Sequence, residues 1–209
     1  MNPFHTVIGT EEELRELLGY PSPLAVNKVI GQLDAHCREF IAKSPIAFIA
    51  TADASGACDV SPRGDAPGFT AVLGDKHLLI PERPGNRRID SMRNILANPQ
   101  IGVIFIIPGL EETLRINGKA CIVKDTGLLS ALEAHGKIPL LGIGIEVEQC
   151  FVHCAKAFKR SKLWDSGSWP EWESLPSMPK ILAEHAKSSG LTEGDVSAVL
   201  KESYEKRLY

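Results

Sequence analysis

The side chains best suited to binding chemistry are four arginines placed around two turn-rich segments. They are Arg63, Arg83, Arg87 and Arg88. A guanidinium group presents paired donors that fit a phosphate, and the second segment leads into a predicted helix whose first amides and dipole favour an anion. The pattern therefore predicts a phosphate-binding cradle, with Asn86 at the predicted N-cap as a cap, a ligand or both. The alternative is that the four arginines are solvated surface charges, as most arginines are.

A second basic group lies farther along the chain and includes an aromatic side chain. If residues 150–162 form a helix, Lys156, Arg160 and Trp164 share one face at four-residue steps, with His153 nearby. A planar ligand could pack on the indole while the cations meet its phosphate. The alternative is an exposed basic helix end, which its own dipole favours.

Other catalytic or metal-binding patterns find little support in the sequence. Cys150, His153 and Cys154 supply at most three metal ligands, and a structural zinc site needs four, so the pattern favours small buried or half-buried thiols. A Gly-x-Ser-x-Gly elbow is absent from the sequence, and Gly142 and Gly144 fall inside a predicted strand rather than at a strand-to-helix turn. A ligand cradle without a catalytic side-chain set is expected where a bound cofactor carries the chemistry.

Composition limits the class of protein. The chain has 209 residues and a formal net charge of -3, which argues against nucleic acid or an anionic membrane as a partner. The longest apolar runs fall short of the roughly 18 residues of a spanning helix, and the N-terminal residues show no secretory pattern. Five scattered cysteines indicate a reduced, cytoplasmic protein. These features predict a soluble enzyme or cofactor-binding protein.

The elements that must position the arginines are predicted to be short strands with a few helices. Apolar runs bounded by turn residues predict strands at residues 46–51, 57–61, 70–73, 77–80, 101–107, 113–123 and 141–147. Capping residues and apolar periodicity predict helices after Thr10, at residues 24–41, 86–97, 126–134 and 150–162, and two more within 180–209, the second capped by Thr192. Gly118 is expected to allow a bulge in its strand. This order predicts a small antiparallel β-barrel with helices attached.

The barrel is predicted to occupy the middle of the chain. Residues 1–43 form a helical segment packing on it, residues 44–165 form the barrel, and residues 166–209 form a loop and a helical extension.

Four segments of the sequence resemble the FMN-dependent proteins related to pyridoxamine 5'-phosphate oxidase. They are residues 58–65, 79–90, 98–105 and 114–120. The resemblance covers about residues 30 to 170, and Pro-Gly-Asn-Arg-Arg, ending at Arg88, is its most specific element. Within that superfamily the chain is similar to a branch described as FMN-dependent enzymes, also in the basic run that ends at Trp164.

The resemblance implies a mainly β fold with peripheral helices, the FMN-binding split β-barrel, which forms a homodimer with an FMN site in each of two clefts between the subunits. Arg63 then contacts the flavin side, with Ser61 close by, and Asn86, Arg87 and Arg88 hold the phosphate. Pro81 and Glu82 replace hydroxyl residues of classical members, so they can serve only through their backbone.

The resemblance also places residues of the partner chain at each flavin. Arg115 lies on a strand that approaches the partner's flavin. The wall supplied by the second subunit is Lys156, Arg160, Lys162 and Trp164. Arg115 or Lys156 is the candidate cation near the pyrimidine edge of the flavin.

The resemblance to the oxidase itself is weaker, because the chain ends Lys206-Arg207-Leu208-Tyr209 where the oxidase has an Arg-Leu-x-Pro ending. We therefore expect an FMN-dependent oxidoreductase acting on another small molecule, with hydride transfer at flavin N5 and a nicotinamide or the substrate as donor. The alternatives are a non-catalytic flavin-binding sensor or storage module, or the same fold holding a deazaflavin or a haem, the last with His135 or His153 as axial ligand.

Overall fold

The computed structural model describes residues 3–209; the first two residues, on which part of the secretory-leader prediction falls, lie outside the described residues. Within residues 3–209, seven strands form one antiparallel sheet. They are β1 (Ile46–Ala52), β2 (Cys58–Gly64), β3 (Ala71–Val72), β4 (His77–Pro81), β5 (Gln100–Ile106), β6 (Thr113–Val123) and β7 (Gly142–His153). The α-helices are α1 (Glu11–Leu18), α2 (Pro23–Asn27), α3 (Ala35–Lys43), α4 (Asp90–Ala97), α5 (Thr126–Ser130), α6 (Lys156–Ser161), α7 (Met178–His185) and α8 (Glu193–Lys206). Short 3₁₀ turns occupy Ser166–Ser168, Trp172–Ser174 and Lys187–Ser189.

The sheet curls around one hydrophobic core. Its strand order is β2-β1-β5-β6-β7-β4-β3, so three strands separate β1 from β4. Ile49 of β1 and Ile80 of β4 nevertheless belong to the same buried cluster, together with Phe105 of β5. A flat sheet could not bring those side chains together. The fold is mainly β with peripheral helices, a barrel split between the edge strands β2 and β3, as predicted.

The strands alternate between the core and the outer face, as the period-two pattern of a strand requires. In β5, Val103 and Phe105 are buried, whereas Ile104 is 38% exposed. Ile104 pairs in register with Phe48 on one side and Arg115 on the other. The outer face of β1 and β5 is therefore apolar, and Arg115 lies beside it.

The predicted bulge in β6 is present. The register between β6 and β7 shifts between Asn117 and Gly118. A Cβ at position 118 would lie 2.0 Å from the main-chain oxygen of Glu146, so only glycine fits there.

The predicted continuous helix over residues 24–41 is wrong. Ile30 exchanges backbone hydrogen bonds of 3.0 and 2.7 Å with Cys150, which keeps the chain between α2 and α3 extended. Asp34 then starts α3 afresh, because its side chain accepts a hydrogen bond from the Cys37 amide. Ile30 and Leu33, which belong to the apolar spacing of the predicted helix, lie between the two short helices.

The predicted helix over residues 150–162 is also wrong. β7 continues to His153, because β6 supplies a pairing partner for its last residues: Arg115 pairs with Phe151 and Thr113 with His153. The helix that follows, α6, is therefore short, and Trp164 lies beyond its end. Of the second basic group, Lys156 and Arg160 keep their four-residue spacing on α6, whereas His153 and Trp164 lie outside the helix.

The tail forms two helices, as predicted. Thr192 caps α8 in a capping box with Asp195. The division of the chain at residues 43 and 165 stays a prediction. No helix within residues 3–209 is long and apolar enough to span a bilayer.

Candidate ligand-binding cleft

A cleft of about 1440 Å³ lies beside the edge strand β2. Its walls are β2, the end of β4, the loop of residues 82–89, the start of α4, residues 137–141 and the second half of α8. Six basic and three acidic side chains line it within the described chain, so it favours an anion.

Seven of the twelve predicted site residues line this cleft. They are Ser61, Arg63, Pro81, Glu82, Asn86, Arg87 and Arg88. The other five lie elsewhere on the chain: Arg115, Lys156, Arg160, Lys162 and Trp164. The split follows the two groups that the sequence separates, with the residues expected from the partner subunit outside the chain's own cleft.

Three of the four cradle arginines are paired with carboxylates of the same chain. Arg63 pairs with Glu82, Arg83 with Asp65 at 2.7 Å and Arg88 with Asp90 at 2.7 Å. Their exposure differs, with the side chains of Arg63 and Arg83 only 16% and 17% exposed and that of Arg88 72% exposed. The two half-buried arginines are therefore not solvated surface charges.

Arg87 differs from the other three cradle arginines, since it forms no ion pair with any residue from 3 to 209. The buried Nε of Arg63 also has no hydrogen-bond partner among the described residues, although a buried polar group normally has one. An unpaired cation and an unsatisfied donor in the walls of one cleft fit an anionic or polar ligand.

The loop before α4 is strained. Arg87 and Ile89 adopt left-handed backbone angles, with φ of 61° and 55°, and a β-branched residue rarely takes this conformation. The helix begins at Asp90, so the prediction that Asn86 caps it is wrong; the Asn86 side chain accepts a hydrogen bond from the Arg88 amide instead. No side chain of residues 3–209 caps α4, which leaves its first amides available to an anion.

Pro81 and Glu82 have little backbone to offer a ligand. Proline lacks an N–H, and the Glu82 amide donates to the Leu141 carbonyl at 2.9 Å. The Glu82 side chain is held by Arg63. Only carbonyl oxygens of this pair remain for a ligand donor.

A chain of hydrogen bonds through Ser61, Ser91 and Asp59 joins β2 to α4. The sequence did not predict Ser91 or Asp59 as site residues. Ser91 is 3% exposed and donates to the Asp59 carboxylate at 2.7 Å, and its oxygen lies 3.3 Å from that of Ser61. Because the Ser91 proton is given to Asp59, Ser61 donates to Ser91 and keeps its lone pairs for a ligand. The signal was available, since Asp59 is two residues from Ser61 and so shares its face of β2.

The wall formed by α8 was not predicted at all. It contributes Val199, Leu200 and Ser203, and the residues that follow the helix add Arg207 and Tyr209. Facing solvent in the same cleft are Leu140, 90% exposed, and Val199, 50% exposed. Large apolar side chains left exposed in a concave site indicate a ligand with an apolar body as well as an anionic group.

Tyr209 is hydrogen-bonded to Asp65, the residue that follows β2. Its hydroxyl donates to Asp65 at 2.7 Å, and the Asp65 carboxylate, with a 3% exposed side chain, also accepts from Arg83 and the Ala66 amide. Burial works to raise the pKa of Asp65, but these hydrogen bonds, that from Tyr209 first, outweigh it and hold the pKa below its ordinary value. The same hydrogen bond raises the pKa of Tyr209.

The five remaining predicted residues lie apart from this cleft. The Arg115 guanidinium lies 5.6 Å from the ring centre of Phe151 on the outer face of the sheet. The Trp164 indole donates to the Leu110 carbonyl at 3.0 Å. Lys156 and Arg160 lie on α6, and Lys162 ends it in a left-handed conformation.

Two of the cysteines, Cys37 and Cys150, lie side by side in the core. The Cys150 thiol lies 3.2 Å from the sulfur of Cys37, and burial raises the pKa of both. Cys154 is exposed, so the interpretation of small buried thiols applies to Cys150 alone of that pair. Across the described residues 3–209, no three or more metal-ligating side chains converge.

Comparison with known proteins relates this chain to one family. A family model described as pyridoxamine 5'-phosphate oxidase matches residues 33–154. HupZ of Group A Streptococcus is 21% identical with a TM-score of 0.47, over 57% of this chain and 92% of that one. A putative pyridoxamine 5'-phosphate oxidase from Lactobacillus delbrueckii is 19% identical with a TM-score of 0.44, over 58% and 99%. HutZ, a haem storage protein from Vibrio cholerae, is 18% identical with a TM-score of 0.41, over 58% and 94%. No curated protein matches.

Proposed function

The chain belongs to the pyridoxamine 5'-phosphate oxidase family, whose model spans residues 33–154, and on this premise we propose that it is an FMN-dependent oxidoreductase that acts as a homodimer. The observation that carries the proposal is the composition of the cleft, which joins a strained, basic loop to an exposed apolar wall. FMN combines a phosphate with a planar, largely apolar ring system. The two halves of the cleft match the two halves of that molecule.

The phosphate end lies at the loop before α4 in this proposal. Arg87 supplies an unpaired cation, Arg88 a second guanidinium, and the uncapped amides of α4 supply donors. Asn86 holds the Arg88 amide and so fixes the turn. The strain at Arg87 and Ile89 supports a binding role, since strained backbone is concentrated at functional sites.

The ring end lies between β2 and α8. Arg63 and Ser61 face the polar edge of the ring, where the unsatisfied Arg63 Nε and the lone pairs of Ser61 find partners. Pro81 and Glu82 contribute their carbonyl oxygens. The apolar side chains of Val199 and Leu140 cover the ring body and exclude water.

Bound FMN supplies hydride exchange at its N5 atom, with a nicotinamide or a small-molecule substrate as the donor. The protein's own contribution is to bind, orient and desolvate. An added cation from the partner subunit, Arg115 or Lys156, lies near the pyrimidine edge of the ring in the proposed dimer. Lys162, Arg160 and Trp164 complete the wall from that subunit.

The outer face of the sheet supports the dimer. Phe48 and Ile104 are paired in register and are 37% and 38% exposed, and Val60 on the edge strand is 64% exposed. Arg115 borders this apolar face. A second copy that covers the face would bury these side chains and carry Arg115 toward the other subunit. The cysteine content supports a cytoplasmic setting.

The haem alternative gains no support from the cleft. Among the described residues that line it there is no histidine, and His135 instead packs against the Tyr209 ring at 4.2 Å between centroids. His153 pairs with Thr113 through its backbone, and the residue is exposed and lies outside the cleft. The non-catalytic flavin-binding alternative shares the same cleft and differs only in turnover.

The experiment that tests the proposal measures FMN binding by the purified protein through quenching of flavin fluorescence. The proposal expects tight, equimolar binding, with riboflavin, which lacks the phosphate, bound much more weakly. Reduction of the bound flavin by NADH or NADPH under anaerobic conditions separates an oxidoreductase from a storage module. Equal affinity for FMN and riboflavin would remove the phosphate cradle from the proposal.

A further inference from the structure

We propose that α8 is part of the ligand site and that Tyr209 is the positioning residue that holds it there. The proposal rests on the proposed function in one respect, namely that the ligand is FMN. The family model ends at residue 154, so it assigns nothing to this helix.

The hydroxyl, the ring and the main-chain oxygen of Tyr209 each make a contact. Its hydroxyl donates to Asp65 at 2.7 Å, and its main-chain oxygen accepts from the Lys137 ammonium at 2.6 Å. Its ring lies 4.2 Å from that of His135 and 5.8 Å from the Arg83 guanidinium. These four residues form what we call the Tyr209 socket.

Asp65 and Arg83 of the socket are also held by contacts that do not involve Tyr209. Arg83 donates to Asp65 at 2.7 Å and to the Leu132 carbonyl at 2.9 Å. Asp65 also accepts from the Ala66 amide, and its own amide donates to the Pro45 carbonyl. The phenol therefore meets an acceptor that other groups orient, and with Tyr209 in place the Asp65 side chain is only 3% exposed, where a hydrogen bond is worth more than at the surface.

Helix α8 has few other ties to the barrel. Among the described residues it buries one of its own side chains, Val196, and it packs mainly against α7. The residues that line the cleft, Val199, Leu200 and Ser203, stand on its second half, close in sequence to Tyr209. Tyr209 in its socket therefore sets the distance between these side chains and the arginines on the other side of the cleft.

The consequence for the ligand follows from the composition of the walls. The loop of residues 82–89 and β2 are polar and basic, whereas α8 contributes two aliphatic side chains. An FMN phosphate held by the loop leaves the ring to be covered from the α8 side. Loss of the Tyr209 contact would let α8 move away, expose the ring to water and shorten the residence time of FMN.

The test compares Tyr209→Phe, which removes only the hydroxyl, with Tyr204→Phe, which alters an exposed tyrosine of α8 that does not line the cleft. Hydrogen exchange of the amides of residues 193–209 is measured in the protein without FMN. FMN dissociation is measured by stopped-flow fluorescence. We expect Tyr209→Phe to accelerate both by about tenfold, the usual size for a hydrogen bond to a charged group, and Tyr204→Phe to change neither.

Leu200→Ser supplies a second variant that separates the two parts of the proposal. It should accelerate FMN release while hydrogen exchange in α8 stays as in the unmodified chain, because the contact of Tyr209 with its socket is intact. Unchanged hydrogen exchange in Tyr209→Phe overturns the role of Tyr209 in holding α8. Faster exchange with unchanged FMN release overturns the placement of α8 in the ligand site. A protein that binds no FMN at all overturns the proposed function and with it the role of α8 toward FMN. The hydrogen-exchange measurement then still decides whether Tyr209 holds α8.

Discussion

The hydroxyl of Tyr209 donates a 2.7 Å hydrogen bond to the carboxylate of Asp65, which lies 144 residues earlier in the sequence. Asp65 directly follows β2, the strand that carries Ser61 and Arg63 into the cleft. One contact thus joins the end of the helical tail to the most polar wall of the proposed flavin site.

Arg87 and Arg88, in the loop just before α4, are the first targets for mutation. Arg87→Ala combined with Arg88→Ala should weaken FMN binding by at least about a hundredfold, since each guanidinium contributes roughly 1.5–3 kcal/mol through charged hydrogen bonds. Arg93→Ala is the matched control, because Arg93 is an exposed arginine of α4 itself that does not line the cleft. Titration of flavin fluorescence measures the three affinities. Equal losses in the double variant and the control would show that the effect is one of general charge.

The Asp65–Arg83 pair should matter for stability. Asp65→Asn leaves a half-buried guanidinium without its counter-ion and should lower the free energy of unfolding by about 3 kcal/mol, as breaking a buried pair does. Asp75→Asn breaks the pair of Arg38 with the largely exposed Asp75 and should cost less than about 1 kcal/mol. Urea unfolding measures both. Similar small costs would mean that the socket is not a stabilising centre.

The depressed pKa of Asp65 predicts how this stabilisation depends on pH. A carboxyl whose pKa is lower in the folded state binds its proton more readily when unfolded, so its contribution is present above the unfolded value of about 3.9 and is lost as pH falls through the folded value. The difference in unfolding free energy between the unmodified chain and Asp65→Asn should therefore be constant from pH 7 to about pH 5 and shrink below about pH 4. A difference that grows on acidification contradicts the assignment.

The bulge in β6 predicts an intolerant glycine. Gly118→Ala places a Cβ against the Glu146 carbonyl and should destabilise the fold by about 3 kcal/mol, because backbone on both sides must move. Gly9→Ala, whose Cβ would meet nothing within 4 Å, is the control and should be nearly neutral. Thermal unfolding followed by circular dichroism distinguishes them.

The apolar outer face predicts the assembly. Phe48→Asp or Ile104→Asp should convert a dimer into a monomer and weaken FMN binding, because the partner's Arg115 is lost with the interface. Leu96→Asp, at a 79% exposed leucine of α4, should leave both properties unchanged. Analytical ultracentrifugation gives the mass. A monomeric unmodified protein that binds FMN fully would remove the partner subunit from the site.

The sequence predicted those parts of the fold that depend on local chemistry. The capping residue Thr192 and the bulge at Gly118 each act within a few residues, and each is present. The two wrong helices have a common cause. Ile30 and Cys150 lie far apart in sequence, and the backbone bridge between them extends one segment that apolar spacing had assigned to a helix. Pairing with β6 extends the other, and neither partner can be read from its own neighbourhood.

The candidate site divides in the same way. Ser61, Arg63 and the loop up to Arg88 meet in one cleft, since a short hairpin brings them together. Glu82 and Asp65 neutralise two of the arginines, and that pairing depends on the folded positions of both partners. The α8 wall was beyond prediction, because Tyr209 and its partner Asp65 are 144 residues apart in the sequence.

The measurement that tests the central claim most directly is the visible absorption spectrum of the purified protein after incubation with excess FMN and removal of unbound ligand. The account predicts a yellow protein with a shifted flavin spectrum that releases an equimolar amount of FMN on denaturation. A colourless protein that retains no added FMN would contradict it, and would mean that the family's barrel is present here without its flavin site.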